Sequence, residues 1–295
     1  MFQQLAQLIA NGLITGSILA LAAVGLTMVF GIQRIPNFAH GEYLTIGAYA
    51  ACLANVTWQQ NLLVATVFAA VVTALFSVAV HFVLLRPLRN RGLVAMSLIT
   101  VGLGLILRNL ISLVEGVDIR KFAIDQTAVY DLTIIRLSPG QVAVTIVALI
   151  ACPAVALLLT RTAIGKNMRA VADNRDLASI AGIDTDRIGT YVWILAGALA
   201  GIGGVMYALV QGTFDPNLGF NALFLVFTAV VLGGIGSPFG ALAGGLALGL
   251  AMEVATWQGF AGGFDFRYKP VLAFVVLIAL LMYRPQGLFG KARVL

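Results

Sequence analysis

Long apolar runs, separated by short polar or Pro/Gly-rich breaks, extend over almost the whole chain. A helix needs about 20 apolar residues to cross the hydrocarbon layer of a membrane, and continuous runs predict helices where a β-barrel would alternate. The pattern therefore predicts an all-α polytopic membrane protein in which residues 1–295 form a single transmembrane domain. Cutting the chain at its breaks predicts about eight or nine transmembrane helices, several of them short: Leu5–Phe30, Gly41–Ala54, Leu62–Leu85, Leu93–Val114, Gln141–Thr160, Thr190–Gly212, Ala222–Gly234, Gly240–Thr256 and Val271–Tyr283.

The composition supports this class. Of the 295 residues, 60% are apolar and 10% are charged, against about 25% charged in a soluble domain. These values exclude a soluble enzyme, a disordered tail and a disulfide-rich secreted domain. Cys52 and Cys152 lie in apolar stretches without a CxxC pattern, which indicates small buried residues and not a redox pair or metal site. Met1–Gln33 holds no Lys or Arg, so the first segment is expected to stay as a span and not to be cleaved as a signal.

The net charge of +6 is interpreted as a sign of topology, without a nucleic acid partner. Lys and Arg gather in cytoplasmic loops, and three basic regions fall on one side if nine spans alternate. The C-terminus is then cytoplasmic and the N-terminus lies outside. The basic regions are Arg86, Arg89 and Arg91; Arg161, Lys166, Arg169, Arg175 and Arg187; and Arg284, Lys291 and Arg293.

Two breaks share a spacing of glycine and proline. Gly31 stands five residues before Pro36, as Gly233 stands five before Pro238. Glycine permits unusual backbone angles and proline stops a helix, so both runs are expected to break. Paired broken helices in two halves indicate a two-fold internal repeat with a transport site between its halves, which makes Gly233, Gly234 and Pro238 candidates for a gate. An ordinary tight turn at the cytoplasmic face is the alternative.

The stretch Arg34–Tyr43 places Asn37, Phe38, His40 and Glu42 between two apolar runs. Ionisable groups inside a membrane face a cavity, a partner or the interface, so these four residues are candidates for the lining or gate of a substrate path. The alternative is a cytoplasmic loop in which Asn37 and Glu42 cap helices and Arg34 neutralises Glu42. His40 and Glu42 are too few ligands for a metal, and no metal is expected.

Arg108 lies within a predicted span. Its long side chain is expected to extend to the membrane surface, and binding of a substrate carboxylate is the second interpretation.

The loop from Arg161 to Gly189 predicts one or two short helices on the cytoplasmic face. Asp173 or Asn174 can cap a helix at Arg175–Ala181, and Gly182 can end it. Leu177, Ile180 and Ala181 then form a small apolar face, which suits a groove on a partner protein better than lipid headgroups. Gly165-Lys166 lacks the remainder of a GxxxxGK[ST] phosphate loop, so the chain is expected to be no enzyme and any ATP to be hydrolysed elsewhere.

Several segments resemble the membrane subunit of branched-chain amino-acid ABC importers, the H-type permease. The matching stretches are Gly12–Leu21, Gly25–Gly31, Asn37–Glu42, Gly47–Tyr49, Arg169–Asn174, Ala181–Ile183 and Ala229–Gly234.

The resemblance implies a bacterial inner-membrane protein without cofactors that carries a small amino acid. It implies two cytoplasmic ABC ATPases, a second permease that is a relative or a copy, a periplasmic substrate-binding protein and surrounding lipid as partners. It also implies that the loop docks on the ATPases through Arg169, Ala170, Asp173, Asn174, Leu177, Ile180, Ala181, Gly182 and Ile183.

Three other functions stay open at this stage. Related permeases carry urea or short amides. An ion-coupled secondary transporter or channel would need acidic residues within spans, where few besides Glu42 and Glu253 occur. A membrane scaffold would leave the two Gly/Pro breaks unexplained.

Overall fold

A computed structural model describes residues 2–88, 91–124, 128–131, 134–257, 268–284 and 286–289. Helices account for most of these residues, which confirms the all-α prediction. The helices are α1 (Phe2–Gln33), α2 (His40–Cys52) with a π-helical turn (Leu53–Thr57), α3 (Leu62–Val80) with a π-helical turn (His81–Leu85), α4 (Arg86–Leu88), α5 (Leu93–Glu115), α6 (Pro139–Arg161), α7 (Ala163–Asp173), α8 (Arg175–Ile180), α9 (Thr185–Gln211), α10 (Leu218–Gly233), α11 (Pro238–Val254) and α12 (Lys269–Tyr283).

A two-stranded antiparallel pair, β1 (Tyr130–Asp131) and β2 (Arg136–Leu137), lies before α6. It is joined to the start of α1, where Gln7 donates a hydrogen bond to the Arg136 carbonyl at 2.9 Å and accepts one from the Arg136 N–H at 2.7 Å. This pair was not predicted, because four residues of strand are too few for a period to show.

Side chains at the helix ends explain several boundaries. Ser138 and Gln141 form a reciprocal capping box at the start of α6. Ser237 accepts a hydrogen bond from the Gly240 N–H and precedes Pro238, which starts α11. Each predicted span therefore corresponds to a helix, with differences of a few residues at the ends.

Length separates these helices into two groups. Among the described residues, five helices or helix runs are long and apolar enough to cross a membrane: Phe2–Gln33, Leu62–Leu88, Leu93–Glu115, Pro139–Arg161 and Thr185–Gln211. The pair α10 and α11 is bent by 119° at its break, and α12 is a shorter apolar helix. The structure therefore contains the short and broken helices that the sequence predicts.

The helices α1 and α9 form the centre of the bundle. In the most apolar stretch of α1, 83% of the residues are buried, against 17% in α6. Close approach at the centre depends on glycine: a Cβ on Gly16 would lie 2.8 Å from the Leu246 Cα, and a Cβ on Gly249 2.3 Å from the Gly16 Cα. Helix association in a membrane is driven by such tight packing, so these glycines allow α11 to lie directly against α1.

Two of the three predicted basic regions meet at one end of the molecule. The Asp186 carboxylate accepts from Arg86 at 3.3 Å and from Arg175 at 3.0 Å, which ties the end of α3 to α8 and to the start of α9. We call this the α8 end. Of the other predicted basic residues, Arg89, Lys291 and Arg293 lie outside the described residues.

The first and second halves repeat one arrangement. In each half a long helix (α1 or α9) is followed by a non-helical segment of equal length (34–39 or 212–217) and then by a shorter helix (α2 or α10). A Cβ on Gly41 would lie 2.5 Å from the Gly219 carbonyl oxygen, and a Cβ on Gly219 1.8 Å from the Gly41 carbonyl oxygen. Such reciprocal contacts are typical of a two-fold relation, and they place the starts of α2 and α10 against each other.

The repeat pairs different breaks from those that the sequence indicated. The segment at Pro36 corresponds to the segment at Pro216, whereas the Gly233–Pro238 break lies one helix later. The matching Gly/Pro spacing in the sequence therefore does not mark corresponding positions of the repeat. The Gly233–Pro238 break packs against α1, since the Gly236 N–H donates to the Thr27 hydroxyl at 2.8 Å.

Candidate functional site

A cluster of polar side chains surrounds the start of α2 inside the bundle. Asn37, His40 and Glu42 are buried. The His40 Nε2 lies 3.1 Å from the Ala22 carbonyl oxygen of α1. Polar groups at this position lack water, so they must be satisfied by neighbouring helices or by a passing ligand.

The segment before α2 is held by a threonine of α5. The Thr100 hydroxyl donates to the Pro36 carbonyl at 3.0 Å and accepts from the Phe38 N–H at 3.3 Å. These bonds satisfy two backbone groups that the helix break leaves open. The Phe38 ring stacks on Phe227 of α10, with ring centroids 5.0 Å apart.

The predicted capping role of Asn37 and Glu42 is wrong. The residue that caps α2 is Ala39, which makes no side-chain capping bond. Among the described residues, neither polar atom of the Asn37 side chain has a hydrogen-bond partner of normal geometry. Asn37 faces the Tyr43 hydroxyl. The buried amide thus keeps unused hydrogen-bonding capacity in the interior.

Glu42 pairs with Arg108 of α5, with 3.3 Å between the carboxylate Oε1 and the guanidinium Nε. The expected neutralisation of Glu42 by Arg34 is therefore wrong. Arg34 is exposed, and Arg108, the partner of Glu42, lies far from it in the sequence. The expected surface position of the Arg108 head is wrong too. Its guanidinium lies 3.9 Å from the centroid of the Phe220 ring, a cation–π contact that holds it inside the bundle.

One face of α10 stays open beside this ion pair. We call it the open α10 face, defined by Phe220, Asn221 and Phe224, all of which are exposed within the chain. The sequence analysis missed these residues, together with Thr45 and Thr100. The signal for the aromatic residues was the helical spacing of Phe220, Phe224 and Phe227, which repeats every three or four positions.

The second group of predicted path residues lies elsewhere. Gly233 ends α10, Gly234 has φ +102° and Pro238 starts α11. The C-terminal segment covers this turn, since the Leu288 N–H donates to the Leu232 carbonyl and the Phe289 N–H to the Gly233 carbonyl. This covered position favours the alternative interpretation, in which Gly233, Gly234 and Pro238 form a tight turn and do not line an open path.

The loop between α6 and α9 forms two helices, α7 and α8. The Asn174 side chain accepts from the Leu177 N–H at 3.0 Å and caps α8. Gly182 has φ +84°, and the Ile183 N–H donates to the Ala178 carbonyl, which ends the helix as predicted.

The apolar face of α8 is uncovered within the chain. The side chains of Leu177 and Ile180 are 66% and 85% exposed, and Ala181 is exposed beside them. The same loop is anchored on its other side: Met168 and Val171 of α7 are buried, and Arg169 donates to the Leu159 carbonyl of α6. Ala170 is half-buried, and Asp173 lies exposed at the end of α7.

A bundle of apolar helices with a polar interior at a helix break defines a polytopic membrane transport protein. The chain belongs to the family described as branched-chain amino acid transport system / permease component, whose family model matches residues 8–281.

Its relatives match over nearly their whole length. It is 33% identical to the high-affinity branched-chain amino acid transport system permease protein BraD of Pseudomonas aeruginosa, over 98% of this chain and 96% of that protein. It is 32% identical to LivH of Escherichia coli K12, over 96% and 95%, and 29% identical to the probable LivH of Methanocaldococcus jannaschii, over 96% and 92%. No solved structure shows a significant match.

Proposed function

We propose that this chain is the membrane subunit of an ATP-driven ABC importer that carries branched-chain or similar amino acids from the periplasm to the cytoplasm. The observation that carries the proposal is the match of nearly the whole chain to permease components named for branched-chain amino acid transport. A permease component acts with other components, which favours this function over a self-contained ion-coupled transporter. The partners are two ATPases, a second permease and a periplasmic binding protein.

The α8 end is proposed to face the cytoplasm of a bacterial inner membrane. It carries Arg86 and Arg175, and the positive-inside rule assigns such an end to the cytoplasm. The start of α1 then lies outside. A reporter enzyme that works only in the cytoplasm is expected to be active when it is fused after residue 180. A reporter that works only in the periplasm is expected to be inactive at the same position, and its activity there would contradict the proposed orientation.

The transport experiment joins this permease with its ATPases, second permease and loaded binding protein in liposomes. Radiolabelled leucine is expected to accumulate only when ATP is supplied. Urea and short amides, tested in the same vesicles, are expected to accumulate little. Leucine uptake that persists without ATP under an ion gradient would overturn the importer function, and preferential uptake of urea would overturn the substrate.

The helices α7 and α8 are proposed to couple the ATPases to the permease. Leu177 and Ile180 supply the apolar contact. Movement of α8 would reach α9 and α3 through the bonds from Asp186 to Arg175 and Arg86. Movement of α7 would reach α6 through Gly165, where a Cβ would lie 2.6 Å from the Leu159 Cα. A segment in such close contact transmits displacement as a rigid body.

Placing a charge on the α8 face tests this coupling. Leu177→Asp or Ile180→Asp is expected to reduce recovery of the ATPases with the purified permease by about tenfold or more, since a carboxylate in an apolar contact remains without a partner. Ser179→Asp is the matched control, because it adds the same charge to an exposed polar position on the same helix. Full recovery of ATPases with both Asp variants would contradict a docking role for α8.

A further inference from the structure

The ion pair between Glu42 and Arg108 leaves most of the guanidinium unused. Arginine carries five N–H donors. Within the part of the chain that the structure describes, the Arg108 side chain makes one hydrogen bond, from Nε to Glu42. The Arg108 side chain is 20% exposed and the Glu42 side chain 3%. The outer fork of the guanidinium is thus available to a ligand, while Glu42 lies behind it.

The position of this fork excludes a surface role. Arg108 precedes the end of α5 at Glu115 by about two turns, or about 10 Å, and such a charge is retained inside a membrane chiefly where it meets a partner or a cavity. Its ring contact, Phe220, belongs to the open α10 face. The fork therefore borders a face that the described residues cover only in part: the Phe224 ring packs beside Phe274 of α12, with centroids 6.2 Å apart, and the Phe224 side chain stays 48% exposed.

We propose that Arg108 binds the carboxylate of the transported amino acid, with the open α10 face accepting its aliphatic side chain. A guanidinium binds a carboxylate through two parallel N–H bonds, and Phe224 lies one helical turn beyond Phe220 to supply apolar contact. This inference rests on the proposed function, since it assigns the residues that contact the same substrate.

Glu42 has a positioning role in this site. Its carboxylate accepts from the guanidinium Nε at 3.3 Å, and the guanidinium carbon lies 3.9 Å from the centroid of the Phe220 ring on the open α10 face. It also neutralises Arg108 when no substrate is present, which keeps the site weak enough to release its ligand. Thr45 supports Glu42 through a 3.5 Å contact to Oε2 and accepts from the Gly219 N–H at 3.0 Å, so both short helices hold the pair in place.

The test measures binding without the receptor or ATP. Asn221→Cys, in a Cys52→Ala, Cys152→Ala background, supplies one thiol on the open α10 face of the assembled complex. L-leucine is expected to slow its modification by a maleimide, and L-leucinamide, which lacks the carboxylate, is expected to slow it about tenfold less at equal concentration, because charged hydrogen bonds are lost. Equal protection by the two compounds, or no protection by leucine, would overturn the proposal.

Two substitutions separate substrate binding from a merely structural ion pair. Arg108→Gln is expected to abolish leucine protection, and Arg108→Lys to restore part of it as a point charge. Glu42→Gln is expected to shift protection to lower leucine concentration, since the guanidinium loses its competitor. If the ion pair were merely structural, removing either charge would lower leucine protection. A fall in leucine protection with both Glu42→Gln and Arg108→Gln would therefore contradict the proposal.

Arg136→Gln is the control for losing an ion-paired arginine, because Arg136 is exposed and pairs with Asp131 away from the site. It is expected to leave leucine protection unchanged.

Uptake by the wild-type complex with ATP is measured in parallel. If that uptake occurs and leucine protection does not depend on Arg108, the inference is wrong while the proposed function stands. If no ATP-driven uptake occurs, the proposed function itself is wrong.

Discussion

Threonine hydroxyls bond to the backbone at three helix breaks in the described part of the bundle. Thr100 bonds to the segment before α2, Thr45 accepts from the start of α10, and Thr27 accepts from the turn before α11. An unsatisfied backbone group in an apolar interior costs several kcal/mol. The broken helices are therefore stable because each break meets a hydroxyl from a neighbouring helix.

Thr100→Val is expected to destabilise the protein by about 1–3 kcal/mol, because it keeps the shape of the side chain but leaves the Pro36 carbonyl and the Phe38 N–H without this partner. Thr160→Val is the matched control, since Thr160 is exposed and, among the described residues, its hydroxyl bonds only within its own helix, to the Ala156 and Leu157 carbonyls. Thermal unfolding in detergent provides the measurement. Equal melting temperatures for the two variants would show that the Thr100 bonds contribute nothing.

Sequence reasoning identified Glu42 as a charge in an apolar environment but assigned the wrong partner. It chose Arg34 because that residue is near in sequence, whereas the true partner, Arg108, lies on another helix. Polarity is a local property that the sequence shows directly. Pairing depends on how helices pack, and no pattern along one chain reveals which faces meet.

At the level of the helices, glycine determines how closely the two repeats approach. The start of α2 crosses the start of α10 at Gly41 and Gly219, where neither position has room for a Cβ. The helix limits were largely predictable because apolar length and Gly/Pro breaks mark them. The correspondence between the helices of the two halves was not predictable. It depends on the direction of the helices and on their contacts, whereas the matching Gly/Pro spacing does not indicate it.

Gly219→Ala is expected to lower the unfolding temperature and the yield of folded protein, since its methyl group would overlap the Gly41 carbonyl and separate α2 from α10. Gly102→Ala serves as the control: it also lies in a helix, but a Cβ there would have no neighbour within 4 Å. Alanine is preferred over glycine in helices by about 1 kcal/mol, so this variant should be as stable as the wild type or more so. A Gly219→Ala protein as stable as Gly102→Ala would disprove the tight crossing.

On the scale of the whole molecule, the exposed surfaces differ in chemistry. The outer faces of α3 and α6 are aliphatic, whereas the open α10 face combines Phe220 and Phe224 with Asn221 and borders Arg108. Lipid suits an aliphatic face, but a guanidinium and an amide need water or protein. The sequence predicted the class of protein, the short helix α8 and the apolar face of that helix. It could not distinguish these surfaces, because both read as apolar runs.

The two kinds of surface are expected to differ in their access to water in the assembled complex. In a background without Cys52 and Cys152, Phe224→Cys should react with a charged maleimide, because the open α10 face borders the Arg108 guanidinium, a charge that needs water or protein around it. Leu149→Cys lies on the outer face of α6, where the native side chain is 70% exposed. It should react only with a lipid-soluble maleimide, since charged reagents do not enter hydrocarbon. Equal reactivity of the two cysteines toward the charged reagent would mean that the α10 face has no special access, and the substrate path would then have to lie elsewhere in the bundle.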